Sequence, residues 1–144
     1  MKFIKKIVFL TSILVSYSAY AVPEIPDPQL NDIAMVQNTP QGVVIIYNPI
    51  LCQEIGAACG FFRAHEYGHI ELNHGFTPGL YPAIMEAQAD YWAATNGIPE
   101  EILAAYYLFL FGGSSSYYQV YGTPQQRAAR LRQFAIMAGT WIGP

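Results

Sequence analysis

The chain has 144 residues, seven basic and ten acidic, and its three lysines all fall within the first six positions. Beyond Ala21 only Arg63, Arg127, Arg130 and Arg132 face the ten acids, a formal charge of −6, which excludes a basic footprint for nucleic acid or anionic lipid. The length suits one compact domain with one core and is too short for two.

Met1 to Ala21 reads as an export signal. Lys2, Lys5 and Lys6 form the charged start, Ile7 to Val15 the apolar stretch, and Ala19-Tyr20-Ala21 the small-residue cleavage site. The apolar run falls short of the roughly 20 residues that span a bilayer, so the expectation is cleavage before Val22 and release into a periplasm or the cell exterior. Val22 to Pro40 carries four prolines and is expected to be an extended lead-in, with at most a short helical turn around Asn31 to Met35. Gly42 to Tyr47 is a β-branched run closed by Asn48-Pro49, and it is the one convincing strand. Cys52 and Cys59, an even count in an exported chain, predict a disulfide; a pair of zinc thiolates would lack two further ligands.

From Gly60 the pattern turns helical through Asn73 and stops at Gly75. A second helix is predicted over Tyr81 to Thr95, with Pro82 in its first turn and Asn96-Gly97 as its stop. A third runs from Pro99 to Phe111. Its apolar stretch from Ile102 to Phe111 suits a buried core helix, with peripheral contact to a membrane or partner as the rival reading. Ser114 to Tyr121 is a tyrosine-rich connection, after which Thr123-Pro124-Gln125-Gln126 opens a last helix to Ala138 with a capping box. Residues 41–144 therefore describe a mainly α, α+β domain of about four helices with one short edge strand or small sheet.

His65-Glu66-Tyr67-Gly68-His69 matches H-E-x-x-H. On a helix the two histidines project from one face one turn apart, where two imidazole nitrogens can share a zinc ion. Glu66 lies about 100 degrees further round, within reach of a zinc-bound water. Gly68 weakens a helix interior by up to about 1 kcal/mol relative to alanine and is useful where a ligand or another helix must come close. A catalytic zinc needs a third protein ligand. His74 is a weak candidate, one residue early for H-E-x-x-H-x-x-G-x-x-H, with Leu72 in place of the glycine. Glu86 on the next helix is the better one, and Asp90, one turn further, can accept the ring N–H of a zinc histidine. Both acids sit in otherwise apolar sequence, and two buried unpaired carboxylates require a positive centre opposite them.

The H-E-x-x-H at 65–69, the E-x-x-A-D at 86–90 and, more weakly, the YGTPQQRAARL segment at 121–131 resemble the gluzincin metallopeptidases. Within that group the chain is most similar to the family of the HtpX heat-shock peptidase, the CAAX prenyl endopeptidases and their soluble periplasmic relatives. The resemblance covers about Val43 to Phe134 and implies a minimal zincin-like metallopeptidase core without the family's membrane helices. It implies zinc on His65, His69 and Glu86, with Glu66 as the general base that hydrolyses a peptide or protein substrate. In the family a histidine and an arginine assist near the scissile carbonyl. Here Tyr121 takes the histidine's position, so the role falls to Tyr121 and Arg127, with Tyr117 and Tyr118 as alternative donors. The strand at Val43 to Tyr47 would pair an extended substrate. Two other accounts stand beside the peptidase: a non-catalytic, zinc-stabilised binding module, and a membrane-peripheral protein using Ile102 to Phe111.

Overall fold

The computed structural model describes residues 22–76, 79–113 and 117–144; the stretch at 1–21 expected to be an export signal lies outside them. It is mainly helical with a small three-stranded sheet, an α+β arrangement, in the order β1 (Glu24–Pro26), β2 (Ala34–Thr39), β3 (Gly42–Tyr47), α1 (Pro49–Ile55), α2 (Ala58–Glu71), α3 (Pro82–Asn96), α4 (Pro99–Leu110), α5 (Tyr118–Tyr121) and α6 (Pro124–Ala138).

The sheet corrects two expectations. The lead-in at 22–40 supplies two strands, and β3 is central, parallel to β1 on one side and antiparallel to β2 on the other, so it has no free edge to offer a substrate. Pro26 hid β1, yet an edge strand tolerates a proline whose missing N–H would face outward. β2 is short and half polar, so its alternation is faint. It is fixed by the hairpin: Thr39 pairs with Gly42, whose φ of 126° favours glycine, and the Thr39 hydroxyl donates to the Gly42 carbonyl at 2.7 Å. The helical turn expected around Asn31 to Met35 does not form. That stretch bends into β2, with the Asp32 carboxylate accepting from the Ile33 N–H at 2.7 Å.

Asn48-Pro49 ends the strand and also begins α1, a helix within what looked like a cystine loop. The Asn48 side-chain oxygen accepts from the N–H groups of Ile50 and Leu51 at 2.9 and 3.2 Å, and Pro49 occupies the first turn. The buried Asn48 amide also donates to the Leu30 carbonyl at 2.8 Å, pinning the β1–β2 loop. The Cys52–Cys59 disulfide, with Cα atoms 5.0 Å apart, ties α1 to the start of α2. The predicted capping box on α6 forms through Thr123 and Gln126.

The core gathers Phe61 and Phe62 of α2, Ala93 and Ala94 of α3, Ile102, Ala105 and Phe109 of α4, and Ala128, Leu131 and Ala135 of α6. α4 is therefore a core helix along one face, with Leu110 and Phe111 exposed at its end. Among the described residues no helix is long and apolar enough to cross a membrane. α2 packs most extensively on α3, and Gly68 sits at their crossing: a Cβ there would lie 3.1 Å from the Ala89 Cα, the Ala89 carbonyl oxygen and the Trp92 Cβ. The glycine is what lets the two helices approach, and these are the helices that carry the site.

Candidate metal centre

α2 presents His65 and His69 one turn apart, as the spacing predicts, and α3 brings Glu86 against them. The Nε2 atoms of His65 and His69 lie 3.0 Å apart, and Glu86 Oε2 lies 2.9 Å from the first and 3.3 Å from the second. A tetrahedral ion with nitrogen and oxygen ligands at about 2.0–2.1 Å sets neighbouring ligand atoms roughly 3.3 Å apart, close to this triangle. His65, Glu66 and His69 also offer one ligand atom each within 4.8 Å of one another, a group able to hold a metal ion. Glu66 Oε2 accepts the Val36 N–H of β2 at 3.0 Å, which ties this carboxylate to the sheet, whereas the Glu86 oxygen faces the imidazoles.

Behind the triangle the polar groups are paired in turn. His65 Nδ1 lies 2.9 Å from Asp90 Oδ1, and Asp90 is gripped by Arg127, whose Nε and Nη2 donate to its two oxygens at 3.0 and 2.7 Å. Asp90 and Arg127 are both almost fully buried. The carboxylate so held stays ionised and accepts the His65 Nδ1 proton, so Nε2 is the nitrogen that faces the triangle, where it donates to Glu86 in the metal-free protein. His69 Nδ1 meets His74 Nδ1 at 2.8 Å, and His74 Nε2 meets Gln88 Oε1 at 3.0 Å. His74 is thus not placed as a third metal ligand but behind one.

Tyr121, at the end of α5, packs its ring under the Arg127 guanidinium at 4.5 Å and hydrogen-bonds Glu86. Arg127 directs Nε and Nη2 to Asp90, so it braces His65 from behind, and it also lines the cleft beside Glu66 and Tyr121. Tyr117 reaches the wall of the cleft, and Tyr118 is exposed outside it.

The electrostatics follow from this packing. Burial, the largest influence on His65, favours the neutral ring, but hydrogen bonds to Asp90 and Glu86 outweigh it and raise the metal-free pKa to about 9. Burial opposes ionisation of Glu86 and Asp90 as well. Hydrogen bonds from His65 and His69 still hold Glu86 far below the usual carboxylate range, and the charge of Arg127 with the bond from His65 does the same for Asp90. Glu66 moves the other way, upward, because its burial is not outweighed by the neighbouring histidines. Burial and then the negative Glu86 push the Tyr121 phenol up, so it stays a proton donor at neutral pH.

Two cavities of about 490 and 410 Å³ adjoin at Asp32, Ala34, Glu66 and Tyr121 and form one cleft past the histidines. β2 makes one wall. No protein family, curated protein or solved structure matches the chain. The site's own geometry therefore carries the assignment. The sequence reading missed β2 as the wall of the cleft and the pairing of His74 with His69. Asn73 was the available signal for the second. Its φ of 58° is a left-handed conformation that asparagine tolerates, and it turns the chain back just before His74.

Proposed function

We propose that the protein is a zinc metallopeptidase of the gluzincin type, with His65, His69 and Glu86 as ligands and Glu66 as general base. One observation carries this reading: His65 Nε2, His69 Nε2 and Glu86 Oε2 converge to 2.9–3.3 Å, and Asp90 takes the Nδ1 proton of His65 from behind. In the metal-free protein a proton fills this triangle, and two imidazoles with one carboxylate are a donor set that suits zinc with an open fourth position in its place.

When bound, zinc brings the pKa of a water to about 7 and polarises a peptide carbonyl. Glu66, raised by burial and held by Val36, takes the proton from the attacking water and returns it to the departing amine. Tyr121 lines the cleft with its phenol protonated and turns its O–H from Glu86 to the developing oxyanion. Arg127 positions His65 through Asp90. The substrate edge passes from β3 to β2. Val36 N–H faces away from β3, and by antiparallel alternation so do the main-chain groups of Ala34 and Asn38, all three along the cleft wall. An extended peptide adds to that edge through the groups that Glu66 leaves free, those of Ala34 and Asn38. The Cys52–Cys59 disulfide supports export to an oxidising compartment.

The test is Glu66→Gln. The variant should bind zinc as the parent does while hydrolysis of a peptide library falls by at least about 100-fold, the low end of what a general base contributes. Undiminished, chelator-sensitive hydrolysis removes Glu66 as the base. Zinc binding without turnover in the parent protein favours the binding module instead.

A further inference from the structure

We infer that His74 and Gln88 form a relay that fixes the tautomer of His69, making His74 a positioning residue of the metal centre. The inference rests on the metal-centre reading above. An ion shared by the two imidazoles requires a bare Nε2 on each. For His65 the Asp90 carboxylate secures this from behind. His69 has no carboxylate at its Nδ1; its partner there is another imidazole nitrogen, His74 Nδ1, at 2.8 Å. Between two such nitrogens one must donate and the other accept, and the pair alone does not choose.

The choice is made at the far end. His74 Nε2 faces Gln88 Oε1 at 3.0 Å, and a carbonyl oxygen can only accept. His74 therefore carries its proton on Nε2 and offers a lone pair at Nδ1. The proton between the rings then belongs to His69 Nδ1, so the neutral ring offers its lone pair to an ion at Nε2, 3.0 Å from His65 Nε2 and 3.3 Å from Glu86 Oε2. The reverse order, with the Gln88 amide nitrogen donating, would end with a proton on His69 Nε2 inside the triangle, where it blocks the ion. His74 is buried, and the left-handed Asn73 sets its approach. α3 thus supplies a ligand at Glu86, the end of one relay at Gln88 and the end of the other at Asp90.

The experiment measures zinc affinity by competition with a chromogenic chelator, and histidine tautomers by two-bond proton–nitrogen NMR of the zinc-loaded protein. His74→Leu and Gln88→Leu should weaken zinc binding by about 10- to 100-fold and about 10-fold, within the range seen when a partner behind a metal ligand is lost. Gln88 is exposed, so its variants leave the core intact. His74→Asn places an amide oxygen where Nδ1 stood, and Gln88→Glu keeps an acceptor; both should stay within about threefold of the parent. In the parent protein His74 should show a bare Nδ1 and a protonated Nε2. Parent-like zinc affinity in both leucine variants, or a proton on His74 Nδ1, overturns the relay while leaving the metal centre standing. Failure of the parent protein to bind zinc overturns the centre and the relay together.

Discussion

Replacing Gly68 with alanine sets two opposed effects against each other. In a helix interior alanine is better than glycine by about 1 kcal/mol, so an idle position would gain stability. Here the added Cβ would stand 3.1 Å from two backbone atoms of Ala89 and from the Trp92 Cβ, short of the 3.5–4.0 Å of a relaxed carbon contact. Ala89 is fully buried and its backbone cannot rotate away. Overpacking of this kind costs about 1–3 kcal/mol, so the net expectation is a loss of roughly 0–2 kcal/mol. The functional consequence should be larger than the stability loss. α2 carries both histidines and α3 carries Glu86, so helices forced apart by a few tenths of an ångström stretch the 2.9 and 3.3 Å separations on which a shared ion depends. Denaturant unfolding of the zinc-free protein and chelator competition measure the two effects separately. A variant stabilised by about 1 kcal/mol with undiminished zinc affinity would refute the argument that this glycine exists for close approach.

Arg127→Met should lower stability by about 3 kcal/mol, since it removes the two-bond clamp and leaves the buried Asp90 carboxylate to His65 and to Arg130 at 3.5 Å; a loss under 1 kcal/mol in urea melts would show that Asp90 does not depend on it. Asn48→Ala should lose about 1–2 kcal/mol, because one side chain caps α1 and holds the β1–β2 loop, and equilibrium unfolding at constant m-value is the check. Removing zinc with a chelator should lower the melting temperature, by the equivalent of about 4 kcal/mol at a thousandfold excess of metal over Kd. A melting temperature indifferent to zinc contradicts the centre. Val36→Pro removes the N–H that holds Glu66 yet breaks no ladder bond to β3, so hydrolysis should fall by about tenfold or more while zinc affinity holds; unchanged turnover would separate Glu66 from β2.

What the sequence discloses here follows the period of the element that carries it. His65, Glu66 and His69 lie within one turn of one helix, and Glu86 and Asp90 within one turn of the next, so spacing alone places each group on a face. The end signals were equally local: Pro82, Pro99, the capping box at Thr123 and the Gly139 stop all act within a few residues. β1 and β2 were illegible because a strand is stabilised by a partner elsewhere in the chain. Val36 reads as one apolar residue in a proline-rich stretch until its N–H is found on Glu66, 30 positions away. His74 was judged by its fit to a ligand pattern, and its true neighbour, Gln88, lies 14 residues further along on another helix.

The buried acids show why a charge argument from sequence can be right about the need and incomplete about the supplier. Glu86 and Asp90 in an apolar helix demanded a positive partner. The fold gives Asp90 its own, Arg127, in a two-bond clamp, so this carboxylate is compensated without any ion. Glu86 has no such clamp. Its close partners are two imidazoles and the Tyr121 phenol, and of these only an imidazole can turn cationic, by taking a proton onto the nitrogen that faces the triangle. In the metal-free protein His65 does so readily, which is what its elevated pKa expresses. That proton and a zinc ion compete for the same lone pair. The Arg127–Asp90 clamp favours both, since it fixes the outer proton of His65 and makes the inner nitrogen more basic. On the proposed reading a divalent ion would displace the proton only by engaging His69 and Glu86 at once, and the close packing of α2 on α3 at Gly68 brings these groups near enough for that.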